Sequence, residues 1–240
     1  MEHALGERSD HTLTVPAAVS LPPTLPAVLE RLLLVRHGEV FNPDHVVYAD
    51  LAGFGLSDAG KAQASETAAH LRPIAAALLL ASPIRRAIET SLPISAALGL
   101  PITTDDRLYE WRLGTRWAPA AWDDLPTLFP GEVEAYLDHP DDLPFAPESI
   151  SEVADRFASA VVATGELFPG GTAVMVSHQD PVQAARLRLT GRPMSELAID
   201  KPDHGSVIDL IAADGRWIEA SIWHPATRGE GFPPATATQP

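Results

Sequence analysis

Leu32-Leu33-Leu34-Val35-Arg36-His37-Gly38-Glu39 is the stretch on which the reading of this chain turns. Four apolar residues stop at a charged, glycine-containing step, as a short buried strand does where it runs into a polar loop. The pattern recurs twice. Leu78-Leu79-Leu80 leads to Ser82-Pro83-Ile84-Arg85-Arg86, and the apolar run 172–176 leads to Ser177-His178-Gln179. Helical sequence accompanies each. Ser57 reads as the N-cap, with Asp58 at the positive end of the dipole, of an alanine-rich helix that ends near Leu71 before Pro73. Residues 85–98 read as a second helix, entered through Pro83, with a kink at Pro93 and Gly99 as its stop. Residues 148–167 and 181–189 supply two more, and 207–211 with 216–222, joined at Asp214-Gly215, read as a closing hairpin.

Alternating strands and helices predict an α/β fold: a three-layer sandwich with a mostly parallel central sheet, helices on both faces, and the ligand site at the carboxyl ends of the strands. Residues 112–147, rich in Trp, Pro and acidic side chains, fit neither periodicity and are read as an inserted lid. The catalytic domain is expected over 29–227, between a flexible leader (1–28) and a flexible tail (228–240), both proline-containing and aperiodic.

Composition narrows the chemistry. With 240 residues, 45% hydrophobic and 20% charged, the chain can bury one full core. It contains no cysteine, which removes thiolate metal sites and cysteine nucleophiles together. A formal net charge of -15 argues against nucleic acid or an anionic membrane as partner. No apolar run approaches the roughly 20 residues of a membrane span, and the expected location is the cytoplasm. Oligomeric state is not legible. Against the overall charge, the three strand ends, with Arg36-His37, Arg85-Arg86 and His178, would gather two arginines and two histidines into one cationic, donor-rich crevice suited to a phosphoryl dianion.

At this point the motifs become recognisable. Leu34-Val35-Arg36-His37-Gly38-Glu39 resembles the signature of the histidine phosphatase superfamily, the phosphoglycerate-mutase-like family, and Asn42 stands near an asparagine that often follows. Leu56-Ser57-Asp58-Ala59-Gly60 is similar to a second family element. Ser82 to Thr90 resembles the second arginine motif, with Arg86 as the functional arginine and Arg85 as a solvated neighbour. Leu108-Tyr109-Glu110 resembles the segment carrying the acidic residue, and Val176-Ser177-His178 the second histidine motif. The likeness spans roughly residues 31–212. Gln179 departs from the glycine common after that histidine.

The resemblance implies a phosphomonoesterase acting on a small phosphorylated metabolite without cofactor or metal. His37 would attack phosphorus and form a phosphohistidine, Arg36, Arg86, His178 and Asn42 would hold the phosphate, and Glu110 would protonate the leaving oxygen. A cofactor-dependent phosphoglycerate mutase is the alternative within catalysis. Mutases of the family usually carry His-Tyr-Gly after the acidic residue, and here Trp111-Arg112-Leu113 follows Glu110. A non-catalytic phosphate-binding module on the same fold is the alternative outside it. Two further readings are weighed: His204, in Asp203-His204-Gly205-Ser206, as a rim residue, and the set His178, Asp180, Asp203 and His204 as a metal site, for which the spacing is not compact.

Overall fold

A computed structural model describes residues 29–113 and 116–229. The expected leader, and the expected tail from residue 230 onward, lie outside the described residues. Six strands form one sheet in the order β3-β2-β4-β1-β5-β6. These are β1 (Arg31–Arg36), β2 (Leu78–Ala81), β3 (Ile102–Thr104), β4 (Thr172–Ser177), β5 (Val207–Ala213) and β6 (Arg216–Trp223). The first four positions in that order run parallel; β5 and β6 return antiparallel as a hairpin turned by Asp214 (φ 51°) and Gly215 (φ 73°).

The apolar run of β1 shows why both faces must be covered. Successive side chains point to opposite sides of a strand. Leu32 and Leu34 pack with Phe157, Val161, Val182 and Leu189 on one face, whereas Leu33 and Val35 pack with Ala68, Leu71, Ala87 and Ile94 on the other. The first set belongs to helices α5 (Ile150–Leu167) and α6 (Gln179–Thr190), the second to α1 (Asp58–Leu71) and α2 (Arg85–Leu98). The result is the expected three-layer α/β architecture.

Local chemistry sets the helix ends. Ser57 caps α1 by accepting from the Gly60 amide, and Gly99 ends α2 in the left-handed region (φ 67°). The helix expected from residue 148 starts at Ile150, because Ser149 and Glu152 form a reciprocal capping box. The helix expected from Pro181 starts two residues earlier, at Gln179, and proline is tolerated there because the first turn has no helical acceptor for its missing N–H. Strand β3 was not expected; it is three residues long and largely exposed.

Residues 116–147 form a 3-10 turn (Trp122–Asp124) and two short helices, α3 (Leu125–Leu128) and α4 (Glu132–Asp138). Trp111, Trp117, Leu125 and Tyr136 join Ile150, Val153, Ala184 and Leu187 in a third apolar cluster, which seats this segment on α5 and α6. Among the described residues, no helix is long and apolar enough to cross a membrane.

Candidate active site

Parallel, adjacent strands in register deliver their carboxyl ends to one level. Arg36 pairs with Ser177 and Ala81 with Val176, so the residues that follow β1, β4 and β2 are neighbours: His37, His178 and Ser82. The His37 amide donates to Ser177 O at 2.9 Å, which carries the ladder one residue past the strand. Arg86 enters from the first turn of α2 and is wholly buried, whereas Arg85 turns outward to Glu89 at 2.6 Å.

Hydrogen bonds assign the tautomers. His37 Nδ1 lies 2.7 Å from Gly38 O, and a carbonyl only accepts, so Nδ1 carries the proton and Nε2 keeps its lone pair. Arg86 Nε donates toward that Nε2 at 3.2 Å and toward His178 Nδ1 at 3.1 Å. His178 therefore bears its proton on Nε2, which donates to Ser82 Oγ at 2.7 Å. Burial, then the Arg86 charge, hold both imidazoles well below the ordinary histidine range. Both are neutral near pH 7.

Glu110 follows a 3-10 turn (Asp106–Leu108) and is 8% exposed. Its Oε2 lies 3.8 Å from Arg86 Nη2 and 3.8 Å from His178 Nδ1, while Oε1 accepts from the Trp111 amide at 2.9 Å. Burial, with the Asp180 carboxylate, pushes its carboxyl up to about 7, against the pull of Arg86. Arg156 of α5 pins the segment by donating to the carbonyls of Arg107, Tyr109 and Glu110 at 2.8 to 3.0 Å, and Ser177 Oγ donates to Leu108 O at 2.7 Å.

Two buried guanidinium nitrogens, Arg36 Nε and Arg86 Nη1, have no acceptor. Uncompensated cationic donors are costly in a protein interior, and an anion between them would relieve the cost. One cluster of three ligand-type side chains occurs among the described residues, His37, Glu110 and His178, with ligand atoms within 4.8 Å of one another. Arg86 projects between its two imidazoles, so a cation there would face a guanidinium. The set His178, Asp180, Asp203 and His204 forms no such cluster.

A family model for the histidine phosphatase superfamily (branch 1) matches residues 32–223. The chain belongs to the histidine phosphatase superfamily. An uncharacterised protein of Mycobacterium tuberculosis is 38% identical over 167 residues, which cover 66% of this chain and 78% of that protein. Phosphoserine phosphatase 1 of Hydrogenobacter thermophilus is 29% identical over 69% of this chain and 79% of its own length. Among solved structures, mycobacterial glucosyl-3-phosphoglycerate phosphatase superposes with a TM-score of 0.71 at 26% identity, over 81% of this chain and 98% of that one. The protein is thus a phosphatase of this superfamily.

Within this histidine phosphatase, the remaining expected residue lies in the loop after β1. Asn42 spends both ends of its amide on Val46, donating to its carbonyl at 2.8 Å and accepting from its amide at 3.2 Å. It braces a turn, and its second Nδ2–H is the donor left for a phosphate contact. It also lines a groove of about 250 Å³ with Phe41, Tyr48, Ser57 and His204. The loop beyond this turn closes over the crevice: Arg86 Nη2 donates to Ala49 O at 2.5 Å, and the Tyr48 ring lies 4.8 Å from the same guanidinium.

Several residues escaped the sequence reading. Ser82 stands in a quoted motif, but its bond to His178 depends on strand register. Asp180 accepts from Tyr136 and Lys201 at 2.8 Å each beside Glu110's pocket. Arg156 carries no signal beyond its place on an amphipathic helix. His204, expected at the rim, lies nearer the centre, its ring centroid 5.6 Å from that of His37.

Proposed function

We propose that this phosphatase is a metal-independent phosphomonoesterase that passes the phosphoryl group of a small metabolite through His37 to water. The observation that carries this reading is the convergence of an imidazole lone pair, His37 Nε2, with guanidinium donors that lack a protein acceptor. Phosphoryl transfer asks a protein chiefly for position and charge. In the first step His37 Nε2 attacks phosphorus, the bond to the leaving oxygen breaks, and the Glu110 carboxyl gives that oxygen its proton. In the second, water attacks phosphorus, the P–N bond breaks, and the Glu110 carboxylate takes a proton from the water.

The Nδ1–H bond to Gly38 O holds the His37 ring through both steps. His178 offers a lone pair to the crevice in the empty site. A dianion beside it favours the imidazolium, which would then donate to a phosphoryl oxygen. Residues 116–147, seated on α5 and α6, would wall the leaving-group side. The substrates for which relatives are named, phosphoserine and glucosyl-3-phosphoglycerate, support a small phosphorylated metabolite.

The test is release of phosphate from p-nitrophenyl phosphate, with excess EDTA, by the wild type and His37→Ala. Activity that survives EDTA and disappears in the variant is expected, together with an acid-labile phosphoenzyme in rapid-quench samples of the wild type alone. Retained turnover in His37→Ala would refute the assignment.

A further inference from the structure

Arg36 is held by a loop that neither its own strand nor any motif explains. Its Nη1 donates to Pro202 O at 2.8 Å, and its Nη2 lies 2.7 Å from His204 Nε2. A guanidinium only donates, so His204 Nε2 is the acceptor and Nδ1 bears the proton. We propose that His204 is a positioning residue of the phosphoryl site, a neutral acceptor that aims the Arg36 guanidinium at the phosphoryl group without neutralising it.

The backbone is built to deliver this ring. The Gly205 amide donates to Arg36 O and His37 O at 3.1 Å each, and the Arg36 amide donates to Ser206 O at 3.2 Å, so the loop is fastened to the very residues it serves. Gly205 adopts φ 71°, and a Cβ there would lie 3.0 Å from Gln63 Cβ. The turn therefore needs glycine after His204. Burial, with Arg36 and Arg86, holds the His204 imidazole well below the ordinary histidine range.

The choice of side chain matters as much as its place. A carboxylate at this position would bind Arg36 more strongly but cancel the positive charge on which an anion site depends. An apolar residue would leave the Nη2 edge free to swing into the groove that His204 lines. A neutral imidazole orients the cation and preserves its charge.

The inference rests on the phosphatase reading, and three variants at one position test it. His204→Gln keeps a neutral acceptor, His204→Ala removes it, and His204→Glu replaces it with a charge. The readouts are kcat and KM for p-nitrophenyl phosphate, and binding of inorganic phosphate by calorimetry, which needs no turnover. The expected result is a loss in phosphate affinity and kcat/KM of about tenfold to a hundredfold in His204→Ala, the size associated with one charged hydrogen bond. His204→Gln should recover to within about threefold of wild type, and His204→Glu should fail at least as badly as alanine. Phosphate affinity unchanged in His204→Ala would overturn the proposal, as would a glutamine variant as weak as alanine with an unaltered melting temperature. A wild type that binds phosphate but turns over no ester would instead count against the phosphatase reading.

Discussion

Replacing Glu110 with glutamine removes both its proton transfers, and the rate of phosphoenzyme formation isolates the donation of the first step. With a carboxyl raised to about 7, the protonated fraction is about 0.9 at pH 6 and about 0.1 at pH 8. At the ordinary value of 4.5 it would be only about 0.03 at pH 6. The sign follows directly: an acid with a raised pKa keeps its proton longer, so turnover that needs the proton is present below pH 7 and lost above it. Hydrolysis of an alkyl phosphate, whose alkoxide leaves poorly, should fall about tenfold between pH 6 and 8. A bound dianion would move that limb upward in kcat relative to kcat/KM. Glu110→Gln is neutral and isosteric with the protonated acid, so Arg86 and His178 keep their surroundings. It should reduce alkyl phosphate turnover by about 10² to 10⁴. On p-nitrophenyl phosphate, whose phenolate needs no proton, the first-turnover burst should slow by no more than about tenfold, whereas steady-state turnover of both esters loses the base of the second step. Equal losses in the rate of phosphoenzyme formation from the two esters, or a wild-type alkyl ester profile flat from pH 5 to 9, would refute the reasoning.

Asp180→Asn removes an anion that raises Glu110, and leaves Lys201 positive; both changes lower the carboxyl's pKa, so the alkaline limb for the alkyl ester should move to lower pH, and a limb that stays or moves up contradicts the electrostatics. Gly38→Ala would place a Cβ 2.4 Å from Gly60 O, where both sides are backbone. Calorimetry should show a stability loss of about 1 to 3 kcal/mol, with activity reduced at least tenfold as the His37 step shifts. Acid should destabilise the fold. His37, His178 and His204 are held neutral, so their stability contribution is full above the unfolded histidine pKa of about 6.5 and is lost as pH falls. Glu110, whose raised pKa works in the opposite direction, offsets part of that loss. Urea titrations at pH 7 and 5.5 should therefore show the greater stability at pH 7, and equal or greater stability at pH 5.5 would contradict the three neutral imidazoles.

How much was legible follows from the range of each signal. The strands β1, β2 and β4 and their helices announce themselves through apolar runs, caps and stops within a few residues of one another. Strand β3 does not, because three residues at a sheet edge carry no period. Arg86 could be told from Arg85 only through the motif, since both occupy the same helical turn and the inward direction is set by packing against β4. Glu110 was legible as a carboxylate in a family segment, but its raised pKa was not, because burial and Asp180 come from elsewhere in the fold. His204 and Ser82 owe their places to turns fastened across strand ends, and Asn42's commitment to Val46 depends on a loop conformation that residue types do not encode.

The contact between Arg86 and Ala49 makes the loop an internal competitor for the substrate. One Arg86 N–H cannot serve the Ala49 carbonyl and a phosphoryl oxygen at once, and the Tyr48 ring covers the same cation. A phosphoryl oxygen therefore reaches Arg86 in two ways: it adds at Nη1, which has no protein acceptor, and takes the Ala49-bound N–H of Nη2 only in exchange. The same exchange runs in reverse after hydrolysis. A carbonyl tethered within reach is always at high local concentration, so it would reclaim that N–H as inorganic phosphate leaves.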